Sequence, residues 1–324
     1  MEKQRDEGDV EISTTRLPKD DCALPRFIPS PFRVEWSSSY NGELKMHLPE
    51  LRAIPPDLVA PEVTRESPTR GKRVYQTLAE YEGSEVHHVL YLPTDWVPSR
   101  TFPLIVEYPG NGLHISEHGD VCTGMVEDAC LGYGISGGER FLWLCLPFIS
   151  PDRTCNQLQW WGSVEATVQY CKDAVRQVCN EFGGDPNRAL LTGFSRGAIA
   201  CNYVGLHDDE IASLWRGFVA HSHYDGVRKW GYPGDDRRSA LQRLQRMHGR
   251  PQFISHEGST QEVEQYLRFT GVQARFTFQP LPFRNHTDTW ALRDLPERRR
   301  LRQWVRSTVA SPSKFGQELM VALR

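Results

Sequence analysis

From Arg73 onward, short apolar runs alternate with stretches whose apolar residues fall at helical spacing. Val74–Leu78 and Val86–Leu92 predict a pair of antiparallel strands. Pro103–Tyr108 and Phe141–Leu146 are continuous apolar runs, the pattern of strands covered on both faces. A Gly-rich stretch lies between them, with a short helical candidate at 121–131. Val164, Val168, Cys171, Val175 and Val178 follow a 4-3-4-3 spacing, which predicts a helix with one buried stripe ended by Gly183-Gly184. Strands are then expected at 188–192, 218–221, 252–255 and 274–278, with helices at 198–204, 240–247 and 262–269 between them. Leu301, Trp304, Val305 and Val309 share one face of a C-terminal helix, and Arg298-Arg299-Arg300 reads as its solvated flank. Strands alternating with helices predict an α/β domain with a mostly parallel central sheet and helices on both faces.

Residues 1–72 break this pattern. Pro18, Pro25, Pro29, Pro31, Pro49, Pro55, Pro56, Pro61 and Pro68 remove backbone donors and fix φ too often for regular structure. The segment reads as a Pro-rich, partly disordered extension, which Phe27, Phe32, Val34 and Trp36 would anchor. Residues 73–310 form the expected catalytic domain, and 311–324 a tail. The net charge of −3 predicts no bulk attraction to nucleic acid or anionic lipid. No run is long enough for a membrane span. Met1–Asp9 is polar and lacks an apolar h-region, so no signal peptide is read there; a soluble chain, cytoplasmic or secreted after signal removal, is expected. The eight cysteines leave the compartment open: Cys145, Cys171, Cys179 and Cys201 fall in buried elements, whereas Cys22, Cys122, Cys130 and Cys155 fall in loops and are free to pair.

The sharpest chemical signal is Gly193-Phe194-Ser195-Arg196-Gly197, between the 188–192 strand and the following helix. A G-x-S-x-G at such a junction is a nucleophile elbow, in which the tight turn lifts the serine hydroxyl clear of the sheet. Ser195 is therefore the candidate nucleophile. In this chain order the acid and then the base follow the serine. His286 lies a few residues past the last strand and is the candidate base. Asp288 is too close to it in sequence to be its orienting partner. Two carboxylates compete for that role: Asp225, four residues beyond a strand in His221-Ser-His-Tyr-Asp225, and Glu257, very early in its loop. The spacing favours Asp225 narrowly. Oxyanion donors are expected from the backbone N–H groups of Arg196 and Asn111, the latter in Pro109-Gly-Asn-Gly112. Trp160 and Trp161 open the long helix, and with His223 and Tyr224 are candidates to line the substrate pocket. His221-x-His223-x-Asp225 has a metal-like spacing, but no second ligand cluster accompanies it and the serine chemistry needs neither metal nor cofactor.

The run Gly184-Asp185-Pro186-Asn187-Arg188-Ala-Leu-Leu-Thr-Gly193-Phe194-Ser195-Arg196-Gly197 resembles the elbow region of the polyhydroxybutyrate-depolymerase and feruloyl/acetyl-xylan esterase branch of the α/β-hydrolases. Pro103–Gly112 is similar to that branch's oxyanion strand and loop, and the order of elements matches over about 73–310. Pro109 stands where the branch usually has histidine, Arg196-Gly197-Ala198 where it has Met-Gly-Gly, and the usual acid motif is missing. The resemblance implies an α/β-hydrolase fold and a serine esterase acting on a small or carbohydrate-linked ester. A peptidase of the same fold, or an inactive binding protein, are the competing readings.

Overall fold

Leu104, Ile105 and Val106 are consecutive and fully buried, yet they face two different cores: Leu104 and Val106 one, Ile105 the other. This is the two-residue period of a strand covered on both faces. The same alternation sorts Leu142 and Leu144 from Trp143 and Cys145, and Phe218 from Val219. The structure, a computed structural model, describes residues 48–310. Phe27, Phe32, Val34, Trp36, Cys22 and the 311–324 tail lie outside the described residues.

In chain order the strands are β1 (Val63–Thr64), β2 (Arg73–Gln76), β3 (His88–Tyr91), β4 (Phe102–Tyr108), β5 (His114–Ile115), β6 (Val121–Cys122), β7 (Leu142–Cys145), β8 (Gly184–Phe194), β9 (Trp215–His221), β10 (Pro251–Glu257) and β11 (Arg275–Leu281). The helices are α1 (Leu131–Ser136), α2 (Val164–Phe182), α3 (Arg196–Tyr203), α4 (Asp209–Ser213), α5 (Arg237–Leu244), α6 (Gln261–Arg268) and α7 (Pro296–Ala310). Nine strands form one sheet in the order β1-β2-β3-β7-β4-β8-β9-β10-β11. From β7 to β11 every pairing is parallel, while β3 is antiparallel to both of its neighbours. One core lies between the sheet and α2–α6, the other between the sheet and α1, α7 and the 288–292 turn.

Two expectations change. Residues 121–131 are not helical: β6 pairs with β5 in a small ribbon, and α1 begins only at Leu131. Arg298 is not a solvated flank of α7. It is buried, and its guanidinium forks onto Asp57 at 2.7 and 2.6 Å. The Leu51 N–H likewise donates to the Asn285 side chain at 2.8 Å. Cys155 is disulfide-bonded, while Cys122 and Cys130 are free.

Glu107 of β4 is buried beside the start of α1 and accepts from the Leu131 and Gly132 N–H groups and from the Trp143 indole. Burial, reinforced by Asp288, pushes its carboxyl up to about 8, from an ordinary 4.5. A folded-state value above the unfolded one means that its contribution to stability is complete below the unfolded value and is lost as pH rises through about 8. The melting temperature should therefore fall between about pH 5 and 9, and Glu107→Gln should be less stable overall but flatter across that range. Parallel wild-type and variant melting curves would refute this assignment.

Candidate active site

Ser195 is positioned by backbone geometry that few residues tolerate. Its φ is 54° and its ψ −115°, directly between β8 and α3. Both flanking glycines are required. A Cβ on Gly193 would lie 2.2 Å from the Gly197 carbonyl oxygen, and one on Gly197 would lie 2.0 Å from that of Tyr108. The elbow thus packs backbone to backbone against the end of β4.

His286 lies in the loop after β11. Its Nε2 is 3.1 Å from Ser195 Oγ, and its Nδ1 is 2.6 Å from Glu257 Oε1. The carboxylate against the imidazole is therefore that of Glu257, not Asp225. β10 continues two residues past the expected strand end, paired with β11 as far as Glu257 opposite Leu281, so Glu257 is a strand-tip residue rather than an early loop residue. Burial pushes the Glu257 carboxyl up, but the hydrogen bond and charge of His286, with His256 and His221, outweigh it and hold it far below the usual carboxylate range. It is ionised at neutral pH.

Asp225 points elsewhere. Its carboxylate forms a two-pronged pair with Arg243 of α5, at 2.8 and 3.0 Å, and accepts from the Tyr232 hydroxyl at 3.3 Å. The chain reverses at Ser222, whose φ is +85°, and Gly226 then packs so tightly on Ala240 and Tyr266 that a Cβ would sit 2.5 Å from either. That close packing carries Asp225 beneath α5 and α6.

The 109–112 loop abuts the elbow. A Cβ on Gly110 would meet the Phe194 ring at 3.0 Å. The Asn111 side chain accepts the Trp160 N–H at 2.7 Å, and the Gly112 N–H donates to the Leu158 carbonyl at 2.7 Å. The Arg196 N–H opens α3, while its side chain turns inward, over the Phe148 ring at 4.0 Å, and donates to the carbonyls of Trp160 and Gln157 at 2.6 and 3.3 Å. Burial lowers this guanidinium to about 9. Loop 157–160 is thus clipped to both the elbow and the 109–112 loop.

Trp160 and Trp161 precede α2 rather than opening it, since Ser163 is its N-cap. Trp161 is buried against Tyr203 and Phe148, and the half-buried Trp160 packs on Trp230 and Tyr232. His223 meets the His286 ring edge-on at 5.1 Å and Trp230 at 4.9 Å. Tyr224 is a core residue whose hydroxyl is committed to Gln252. A cavity of about 290 Å³ lies beside the site, lined by residues that include Ser222, His223, Tyr224, Val227, Trp230 and Glu257. Among the described residues, no group of three His, Cys, Asp or Glu side chains is arranged to hold a metal ion. Two site residues have roles the sequence did not signal: His221, fully buried and noted only for a metal-like spacing, and Ser222, whose hydroxyl is 2.8 Å from both Glu257 Oε1 and His286 Nδ1. Only the three-dimensional meeting of β9, β10 and the 282–287 loop reveals what they touch.

No family model and no curated protein sequence matches the chain. Solved structures do. The chain is similar to fungal esterases from Rhizomucor miehei, with a TM-score of 0.52 at 12% identity over 83% of this chain and 93% of that one. It is also similar to a thermostable esterase (TM-score 0.46, 15% identity, 72% of this chain and 62% of that one). The AtxE2 isopeptidase follows at TM-score 0.48 and 15% identity, over 75% of this chain and 40% of that one. The chain thus spans less than two thirds of the length of the last two. With the mostly parallel sheet and its helices on both faces, the likeness to the fungal esterases at a TM-score of 0.52 shows the α/β-hydrolase fold.

Proposed function

We propose that the protein is a serine hydrolase that cleaves carboxylic esters through an acyl-enzyme on Ser195. The observation that carries this reading is the hydrogen-bonded chain from Ser195 Oγ through His286 to Glu257, with the serine on a strained elbow. An imidazole whose Nδ1–H is held by an ionised carboxylate presents a bare Nε2 to the serine hydroxyl. His286 takes the Ser195 proton as Oγ adds to the ester carbonyl, then delivers it to the departing alcohol. Water, activated by the same nitrogen, adds to the acyl-enzyme and frees Ser195. Glu257 stabilises the imidazolium formed in each step. The backbone N–H groups of Arg196 and Asn111 are the candidate oxyanion donors, held in register by the clip through loop 157–160.

Glu257 at 2.6 Å from the imidazole supports the hydrolase reading over an inactive scaffold, whose case drew on an uncertain acid. The aromatic wall of Trp160, Trp230 and Tyr232, with His223 beside His286, favours small or carbohydrate-linked esters with a flat group to stack. The closer likeness, to the polyhydroxybutyrate-depolymerase and feruloyl/acetyl-xylan esterase branch, rests on the 184–197 stretch. A fluorophosphonate probe tests the reading directly. It should label the wild-type chain at Ser195, and p-nitrophenyl acetate should be turned over. A chain that stays unlabelled would overturn the assignment.

A further inference from the structure

One dipeptide at the tip of β9 touches all three residues of the hydrogen-bonded chain. The His221 carbonyl accepts the Ser195 N–H at 2.9 Å. The His221 ring spans from Ser255 Oγ of β10, at 3.0 Å, to the carbonyl of Thr287, next to His286, at 3.1 Å. Burial lowers this ring to about 4, so it is neutral at neutral pH. A neutral ring has one N–H, and the carbonyl can only accept, so Nε2 donates to Thr287 and Nδ1 accepts from the Ser255 hydroxyl. Ser222 follows. Its N–H donates to the Ser255 carbonyl at 2.8 Å, and its Oγ lies 2.8 Å from Glu257 Oε1 and 2.8 Å from His286 Nδ1.

Ser222 holds this place against its own backbone preference. A φ of +85° is strained for any residue with a Cβ, and glycine would adopt it freely. Both hydrogen bonds of its side chain go to the acid and the base. Glu257 depends on them. Its Oε2 has no hydrogen-bond partner, His256 Nδ1 being 3.7 Å away, so the carboxylate is oriented at Oε1 alone. The terminal torsion of a glutamate is soft and does not hold the group by itself.

We propose that Ser222 is a positioning residue: its hydroxyl donates to Glu257 Oε1 and shares the Nδ1–H of His286, fixing carboxylate and imidazole in one three-centre arrangement. This rests on the ester-hydrolase reading of the same site. No bond is made or broken at Ser222. It acts through Glu257, by keeping the acceptor lobe aligned while the imidazolium forms and discharges.

Two variants separate this role from a structural one. Ser222→Gly removes the hydroxyl and relieves the backbone, whereas Ser222→Ala removes the hydroxyl and keeps the strain. With p-nitrophenyl acetate, both should lower kcat by about tenfold, the scale of one hydrogen bond to a charged group, with KM unchanged. Ser222→Gly should melt no lower than wild type. In a Glu257→Gln background, where there is no carboxylate to orient, Ser222→Gly should change the rate of phosphonylation by a fluorophosphonate less than about twofold. An equal loss in both backgrounds would show a merely structural serine and overturn the proposal, as would wild-type kcat in Ser222→Gly. If wild-type Ser195 reacts with the probe and Ser222→Gly reacts as fast, this proposal fails alone. If wild-type Ser195 does not react, the hydrolase reading fails and takes this one with it.

Discussion

Ser195→Ala is expected to lower kcat for p-nitrophenyl acetate by about 10³-fold or more while leaving the fold intact. The hydroxyl is the atom that bonds to the acyl carbon, and nothing else on the elbow can replace it. Arg196, its neighbour, turns its guanidinium inward onto Phe148 and loop 157–160, away from that role. The variant should also unfold close to the wild-type temperature or above it, because the hydroxyl gives up a 3.1 Å hydrogen bond to His286 while the φ of 54° is set by the two glycines rather than by the hydroxyl. Turnover of the aryl ester at a near-normal rate by the alanine variant would remove the acyl-enzyme mechanism altogether.

The second large effect separates two carboxylates. Glu257→Gln keeps the shape of the side chain but replaces an ionised acceptor with an amide, so the Nδ1–H is no longer held by a negative charge. A loss in kcat of about 10²–10⁴ is expected with little change in melting temperature. Asp225→Ala should behave in the opposite way. It leaves Arg243, largely buried, without its counter-charge, and removing one partner of such a pair costs about 3–5 kcal/mol. Its melting temperature should fall by several degrees, while turnover per folded molecule stays near wild type. Measuring both variants by calorimetry and by active-site-titrated kinetics checks the pair. If Asp225→Ala loses turnover with its stability intact, the roles are reversed.

The elbow and the base were legible because local chemistry fixes them. A serine flanked by two glycines between a strand and a helix has few other structural uses, and His286 follows the last strand. The acid was not legible, because a strand's end depends on its neighbour. Ser255 looks terminal in the sequence, but pairing with β11 carries β10 on to Glu257. Asp225 was misplaced for a related reason: no local pattern announces that a serine will take a φ of +85° and send the following residues under α5. Arg298 followed the same logic, since the three consecutive arginines hide which of them faces Asp57, 241 residues away. The sheet from β2 onward was legible, because uninterrupted apolar runs and a switch from one period to the other are local features of residue order, whereas β1 lies in the Pro-rich segment where no strand was expected.

Asn285, next to the base, is gripped from two sides. The Leu51 N–H reaches its Oδ1 from 234 residues upstream, and its own amide donates to both oxygens of Asp120. The described part of the stretch before Arg73 is therefore fastened to the domain at Leu51 and Asp57. One contact meets the loop that carries His286, at Asn285, and the other is the Arg298 fork onto Asp57. The packed body that carries His286 therefore includes residues at least as far upstream as Leu51.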